Sequence, residues 1–273
     1  MQLSIFEEGI VQKLNRDGVA LAYEEAGQGD PTILLIHCWT CDHSFLAPQF
    51  RHFSTKHRVV SVDLRGHGES DKPQQAYTVA GFADDLAWLC DRLSVERTVV
   101  VGHSMGGNVA LEMARRHPAL TRAVVMIDSC IIAPAGLKSA LESMGEGLRG
   151  PRHREVSQQI VECVSLPTDD ARRKAWIAKI MSAAPQFVAS SAFDEHILRW
   201  DGEAAAAACT APALYIGAAN PLSDVERLRT ACPQLVVGQT VGAGHFNNQE
   251  VPEQVNAMIE RFLATSVVAP AGA

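Results

Sequence analysis

The stretch Val99-Val100-Val101-Gly102-His103-Ser104-Met105-Gly106-Gly107 decides the fold of this 273-residue chain. A β-branched run leads into it, and a helical pattern follows over Met105–His117. A serine hydroxyl is a poor nucleophile, and a sharp turn between strand and helix lets it project toward an activating base. Such a turn strains the serine backbone and needs small neighbours, which Gly102 and Gly106 supply. The pattern therefore predicts a nucleophile at Ser104.

The same alternation of strand and helix extends in both directions from this turn. Near-continuous Val, Ile and Leu runs are typical of strands that are buried on both faces of a parallel sheet. The predicted strands are Val19–Tyr23, Ile33–His37, Arg58–Asp63, Arg97–His103, Arg122–Asp128, Ala213–Gly217 and Leu235–Val241. Helical patterns over Val79–Leu93, over Met105–His117 and near the C-terminus lie between or after them. We predict an α/β fold, with a mostly parallel central sheet and helices on both faces.

One segment breaks this rhythm and carries helical patterns without a clear strand. It covers residues 131–208, so we predict a core formed by 1–130 and 209–273 and a helical cap insertion between them. The large apolar residues of the segment are expected to form the core of the cap, and some of them to line an apolar pocket beneath it. They are Met144, Trp176, Met181, Phe187, Phe193 and Trp200.

A base and an oxyanion site are needed beside a nucleophilic serine. His245 follows the last predicted strand in a Gly-Ala-Gly-His loop, where an imidazole can reach a serine on a central strand. The amide of Met105, at the amino end of the helix after Ser104, faces the developing oxyanion. A second amide comes from the loop after the strand Ile33–His37, where Trp39 occupies the expected position.

At this point the chain resembles the α/β-hydrolase superfamily from about residue 19 to residue 263. The matching motifs are the turn at Ser104, His37-Cys38-Trp39, Asp63-Leu64-Arg65-Gly66-His67-Gly68-Glu69-Ser70 and Gly244-His245-Phe246. The resemblance implies a structural role for the Asp63–Ser70 turn, which leaves Arg65 and His67 outside catalysis. The chain departs from the pattern at Cys38, since many members have His-Gly there.

Two aspartates are candidates for the acid that orients the histidine. Many members of the superfamily place it in a Gly-x-x-Asp loop, which here reads Gly217-Ala218-Ala219-Asn220, and an amide carries no charge. Some families, including certain haloalkane dehalogenases, place the acid one strand earlier, where this chain has Asp128. Asp224 is the alternative acid, although it also suits the cap of a helix over Val225–Thr230. We favour Asp128 because a strand end holds it rigidly.

Charge and composition exclude several kinds of partner. The 24 Lys and Arg against 31 Asp and Glu leave a net charge of −7, which argues against nucleic acid or an anionic membrane as the main partner. Apolar runs are much shorter than the ~20 residues of a membrane span. We expect a small apolar or aromatic molecule as the partner.

Cysteine usage and motifs bear on location and cofactors. Residues 1–8 lack the pattern of a secretory signal, and seven scattered cysteines fit a reducing cytoplasm. Cys38-Trp39-Thr40-Cys41 lacks the context of a redox helix or a zinc site, so both cysteines are interpreted as loop packing. We predict no metal and no organic cofactor.

The expected function is hydrolysis of a small ester, lactone or related acyl compound through an acyl-enzyme. C–C bond hydrolysis of a ring-fission product is also implied by the resemblance. A second hypothesis is cofactor-independent ring-cleaving dioxygenase chemistry, because the segment His37–His43 is similar to that group, although Met105 departs from its motif. A third is a non-catalytic receptor, favoured by Asn220 and opposed by Ser104 and His245.

Overall fold

The computed structural model describes residues 10–267 and is built around one eight-stranded sheet in the order β1-β2-β4-β3-β5-β6-β7-β8. In chain order the strands β1 to β8 are Gln12–Arg16, Val19–Ala26, Thr32–Ile36, Val59–Val62, Thr98–His103, Thr121–Ile127, Ala213–Gly217 and Leu235–Gln239. Strands β1, β2 and β4 pair antiparallel, and all other neighbours are parallel. The predicted fold class is confirmed.

Helices cover both faces of this sheet. In chain order α1 to α11 are Ala47–Phe53, Val79–Arg92, Met105–Arg116, Lys138–Arg149, His153–Val164, Ala171–Ala183, Gln186–Phe193, Gly202–Ala208, Val225–Ala231, Asn247–Glu250 and Pro252–Phe262. Helices α1 and α11 contribute Phe53 and Ile259 to the core on one face. Helices α2 and α3 contribute Phe82 and Val109 to the core on the other.

The central strands show why their sequences are continuously apolar. Val99 and Val101 of β5 belong to the core beneath α1 and α11, and Val100 between them belongs to the opposite core. Successive side chains of a strand point to opposite faces, and here both faces are covered. Every residue of β5 is therefore buried.

Five helices and no strand lie between β6 and β7. They are α4 to α8, and residues such as Leu148, Val161 and Val188 bury their side chains within this segment. Residues Asp194–Arg199 continue from α7 as a π-helical turn, a form that is rare and often found at functional sites. The division into a core and a cap insertion over 131–208 stays a prediction.

One strand of the sheet was not predicted, and another is shorter than predicted. Strand β1 is polar and half-exposed at the edge of the sheet, so its sequence lacks the alternation of apolar and polar residues that predicts a strand. The turn Asp17-Gly18, with positive φ angles of 53° and 86°, connects β1 to β2. Strand β8 ends at Gln239 and not at Val241.

The prediction about residues 1–8 lies outside the described residues. Within residues 10–267, no helix is both long enough and apolar enough to cross a membrane.

Candidate active site

Ser104 lies on the sharp turn between β5 and α3. It is half-buried, whereas residues 98–103 before it and 105–114 after it are buried. Its φ of 54° and ψ of −120° put a non-glycine residue in strained backbone, and its N–H donates to the carbonyl of Ile127 at 2.8 Å. A Cβ on Gly102 would overlap the carbonyl of Gly106, and a Cβ on Gly106 would overlap the carbonyl of Ile36. The glycines predicted to permit this turn are therefore required by close backbone contacts.

Asp128 and His245 form a buried hydrogen bond next to this turn. The Nδ1 of His245 lies 2.8 Å from Oδ2 of Asp128, and the carboxylate is fully buried. The other oxygen, Oδ1, accepts N–H groups from Ala218 at 3.0 Å and Leu222 at 3.4 Å. Since a carboxylate only accepts, Nδ1 of His245 carries the proton and Nε2 is left as a base.

The sheet explains why Asp128 is close to Ser104. His103 of β5 pairs with Ile127 of β6, so Ser104 and Asp128 directly follow the ends of two adjacent parallel strands. Asp128 also has a positive φ, of 42°. Asp224, the alternative acid, instead accepts the N–H of Arg227 at 3.1 Å as the N-cap of α9.

The loop that carries His245 is fastened at three points. Gly244 donates its N–H to Oδ1 of Asp169 at 3.0 Å, and His245 donates its own to the carbonyl of Val164 at 2.9 Å. The ring Nε2 of His103 donates to the carbonyl of His245 at 2.9 Å. Val164 ends α5 and Asp169 lies between α5 and α6, so the helical segment holds the histidine loop.

Asp169 was missed as a site residue by sequence reasoning. Asp169 and Asp170 together suggest the solvated start of a helix, and Asp170 does cap α6 by accepting the N–H of Arg173 at 2.7 Å. Asp169 instead binds the N–H groups of Leu166 and Gly244. No signal in the sequence separates the two carboxylates, because the partner of Asp169 is 75 residues away.

The two predicted oxyanion residues lie on the elements expected of them. Met105 is the first residue of α3, where N–H groups have no partner within the helix. Trp39 follows β3, and the peptide that joins Cys38 to Trp39 is held by His37. The Nδ1 of His37 donates to the carbonyl of Cys38 at 2.7 Å, and its Nε2 accepts the N–H of Leu64 at 3.0 Å. Because the carbonyl of Cys38 and the N–H of Trp39 share one peptide plane, His37 orients that N–H.

An apolar cavity of about 220 Å³ opens beside these residues. Ser104, His245 and Trp39 line it together with side chains from the helical segment, which include Met144, Met181 and Phe193. Three other aromatic residues predicted for this region do not line it. The ring of Trp176 stacks on that of Phe45 with 4.7 Å between centroids, and the ring of Phe187 lies 6.4 Å from that of Tyr77. The indole N–H of Trp200 donates to a carboxylate oxygen of Glu112 at 3.0 Å.

His196 adds a polar group to this apolar lining from the π-helical turn. Its Nδ1 lies 2.6 Å from the carbonyl of Ala192, so Nδ1 carries the proton and Nε2 is a lone-pair acceptor. Burial lowers the pKa of His196 to about 4, and the ring is neutral near pH 7. Sequence reasoning missed this residue, because ten histidines occur and none of its neighbours forms a motif.

The remaining polar motifs serve the loops around the site. Asp63 accepts the N–H and the ring Nδ1 of His43 at 2.7 and 2.9 Å, and the bond to Asp63 raises the pKa of His43 to about 9. Arg65 forms an ion pair with Asp85. His67 is buried, and burial lowers its pKa to about 3.

Within residues 10–267, no group of three or more potential ligands could hold a metal ion.

Comparison with known proteins agrees with this architecture. A family model of the alpha/beta hydrolase fold matches residues 31–152. The 2-(acetamidomethylene)succinate hydrolase of Mesorhizobium japonicum is 28% identical over 271 residues, which cover 93% of this chain and 95% of that enzyme.

Two solved structures are also similar. An esterase from Thermogutta terrifontis superposes with a TM-score of 0.83 at 24% identity and covers 95% of this chain and 100% of its own. The enol-lactonase from Burkholderia xenovorans LB400 superposes with a TM-score of 0.83 at 22% identity, over 93% of this chain and 100% of its own. At these identities the two structures establish a shared fold.

Proposed function

The chain belongs to the α/β-hydrolase superfamily and is an enzyme of that type, and we propose that it is a serine hydrolase of small esters, lactones or related acyl compounds. The observation that carries the proposal is the buried 2.8 Å hydrogen bond from His245 to Asp128, at the cavity that the strained Ser104 also lines. A serine, a histidine with a free Nε2 and a carboxylate are the three groups that acyl transfer needs.

The reaction proceeds through an acyl-enzyme. Ser104 attacks the carbonyl carbon as His245 takes its proton at Nε2, and Asp128 stabilises the imidazolium that results. The amides of Met105 and Trp39 hold the developing oxyanion. His245 returns the proton to the leaving group, and water then releases the acyl group by the same steps.

The substrate is a mainly apolar molecule that carries a hydrogen-bond donor. A cavity of about 220 Å³ accommodates a small compound, and its helical lining favours apolar groups. The Nε2 of His196 offers an acceptor to a hydroxyl or N–H on the substrate. We propose that residues 131–208 act as the cap that selects this molecule.

A fluorophosphonate probe followed by intact mass measurement tests the activated serine. We expect stoichiometric labelling of the wild type and none of Ser104→Ala. A folded wild-type protein that does not label would contradict the proposal. Oxygen consumption without added cofactor would then test the dioxygenase hypothesis.

Variants of His196 test the substrate class. Against a matched pair of esters that differ by one hydroxyl in the acyl part, we expect His196→Phe to reduce kcat/KM about tenfold or more for the hydroxylated ester only. His196→Gln keeps an acceptor and should preserve part of the preference. Equal losses for both esters would contradict the role of the acceptor.

A further inference from the structure

Two cysteines meet in the loop that carries Trp39. The Sγ atoms of Cys38 and Cys41 lie 2.7 Å apart, and both side chains are buried as free thiols. The N–H of Cys41 also donates to the carbonyl of Cys38 at 3.2 Å, which closes a tight turn. A disulfide has a sulfur–sulfur distance of about 2.05 Å, so a small movement would join them.

The surroundings of Cys38 favour its reaction as a thiolate. Cys38 lines the cavity that Ser104 also lines, whereas Cys41 does not, so of these two cysteines Cys38 is the one that a small molecule in the cavity reaches. Burial raises the pKa of the Cys38 thiol, but Cys41 and His103 outweigh that effect and lower it to about 6. The Nδ1 of His103 is itself buried with no hydrogen-bond partner in the described part of the chain.

We propose that Cys38 and Cys41 are an oxidation site for a small hydroperoxide that enters the cavity, and that their reversible disulfide slows the hydrolase. His103 takes the proton of Cys38, and the thiolate sulfur attacks one peroxide oxygen while the O–O bond breaks. This forms a sulfenic acid and releases an alcohol or water. The departing oxygen takes the proton back from His103. The thiol of Cys41 then attacks the sulfenic sulfur, and its proton leaves with the hydroxyl group as water, so two thiols are oxidised and one peroxide is reduced.

The disulfide slows the reaction through the peptide between Cys38 and Trp39. This part of the inference rests on the proposed function of the Trp39 amide as an oxyanion donor. The indole N–H of Trp39 donates to the carbonyl of Ala189 at 2.9 Å, and this bond opposes a shift of the whole loop when the sulfurs close. A misplacement of about 1 Å near the reacting atoms can cost 10²-fold.

Tryptic digestion isolates this pair. Residues 17–51 contain no Lys or Arg before Arg51, and Cys38 and Cys41 are their only cysteines. After hydrogen peroxide and alkylation, we expect this peptide to lose two hydrogens and to carry no alkyl group. Dithiothreitol should restore both thiols.

Activity and labelling are measured on the same samples. We expect oxidation to slow fluorophosphonate labelling of Ser104 at least tenfold and dithiothreitol to restore it. Cys41→Ala should keep basal activity, form no disulfide and accumulate a dimedone adduct on Cys38. Cys90→Ala, a buried cysteine of α2, is the matched control and should respond like the wild type.

Two results would overturn the inference. One is inactivation while the peptide 17–51 keeps both thiols, which includes oxidation confined to Cys209 and Cys232, two cysteines hydrogen-bonded to each other. The other is a disulfide between Cys38 and Cys41 with unchanged labelling. A reduced protein that never labels would contradict the proposed function instead, and the peptide mapping would still test the disulfide.

Discussion

Exchange of Asp128 for asparagine tests the candidate triad, because the structure determines which way the new amide points. Oδ1 accepts two backbone N–H groups, from Ala218 and Leu222. An asparagine that keeps these bonds must turn its NH₂ toward His245. The Nδ1 of His245 then has to accept, its proton moves to Nε2, and Nε2 can no longer take the proton of Ser104.

The expected loss is about 10⁴-fold in kcat, since the amide holds the imidazole in the wrong tautomer, as in the serine-protease triad. At 1.36 kcal/mol for each factor of ten, this is about 5.4 kcal/mol of transition-state stabilisation. KM should change little, because Asp128 is fully buried and does not line the cavity.

The assay is steady-state hydrolysis of a 4-nitrophenyl ester, with the rate of fluorophosphonate labelling as a second readout. Asp224→Asn is the matched control, because asparagine caps a helix about as well as aspartate, and we expect wild-type rates from it. An Asp128→Asn variant that keeps more than a tenth of wild-type kcat would refute the reasoning. So would an inactive Asp224→Asn variant that is folded.

Three further predictions concern the elements that support the site. Gly106→Ala should destabilise the fold by several kcal/mol, since its Cβ would meet the carbonyl of Ile36, whereas Gly136→Ala meets open space and should be neutral in urea unfolding. Asp169→Ala should lower kcat about tenfold with KM nearly unchanged, because the histidine loop loses an anchor, and a normal kcat would contradict this. The pKa of His43 is raised to about 9, so its contribution to stability is complete below pH 6.5 and is lost as pH rises through 9. Unfolding free energy should fall by about 2 to 3 kcal/mol over that window in the wild type and not in His43→Gln.

The strands and the strained turn could be predicted from local sequence because their causes are local. A continuous run such as Val99–Val101 indicates a strand covered on both faces, and Gly102 and Gly106 indicate a turn whose neighbours must be small. Strand β1 could not be predicted, because an exposed edge strand such as Gln12–Arg16 does not need an apolar pattern.

By itself, the sequence determined the α/β class, the order of the elements and the residues that could be nucleophile, base and acid. The tertiary structure decided which of them meet. Asp128 rather than Asp224 contacts His245, which lies 117 positions further along the chain, and the pairing of β5 with β6 places the same carboxylate beside Ser104. The tertiary structure also decided that Asp169 binds the histidine loop and which residues line the cavity, since hydrogen bonds and packing between distant segments leave no pattern along the chain.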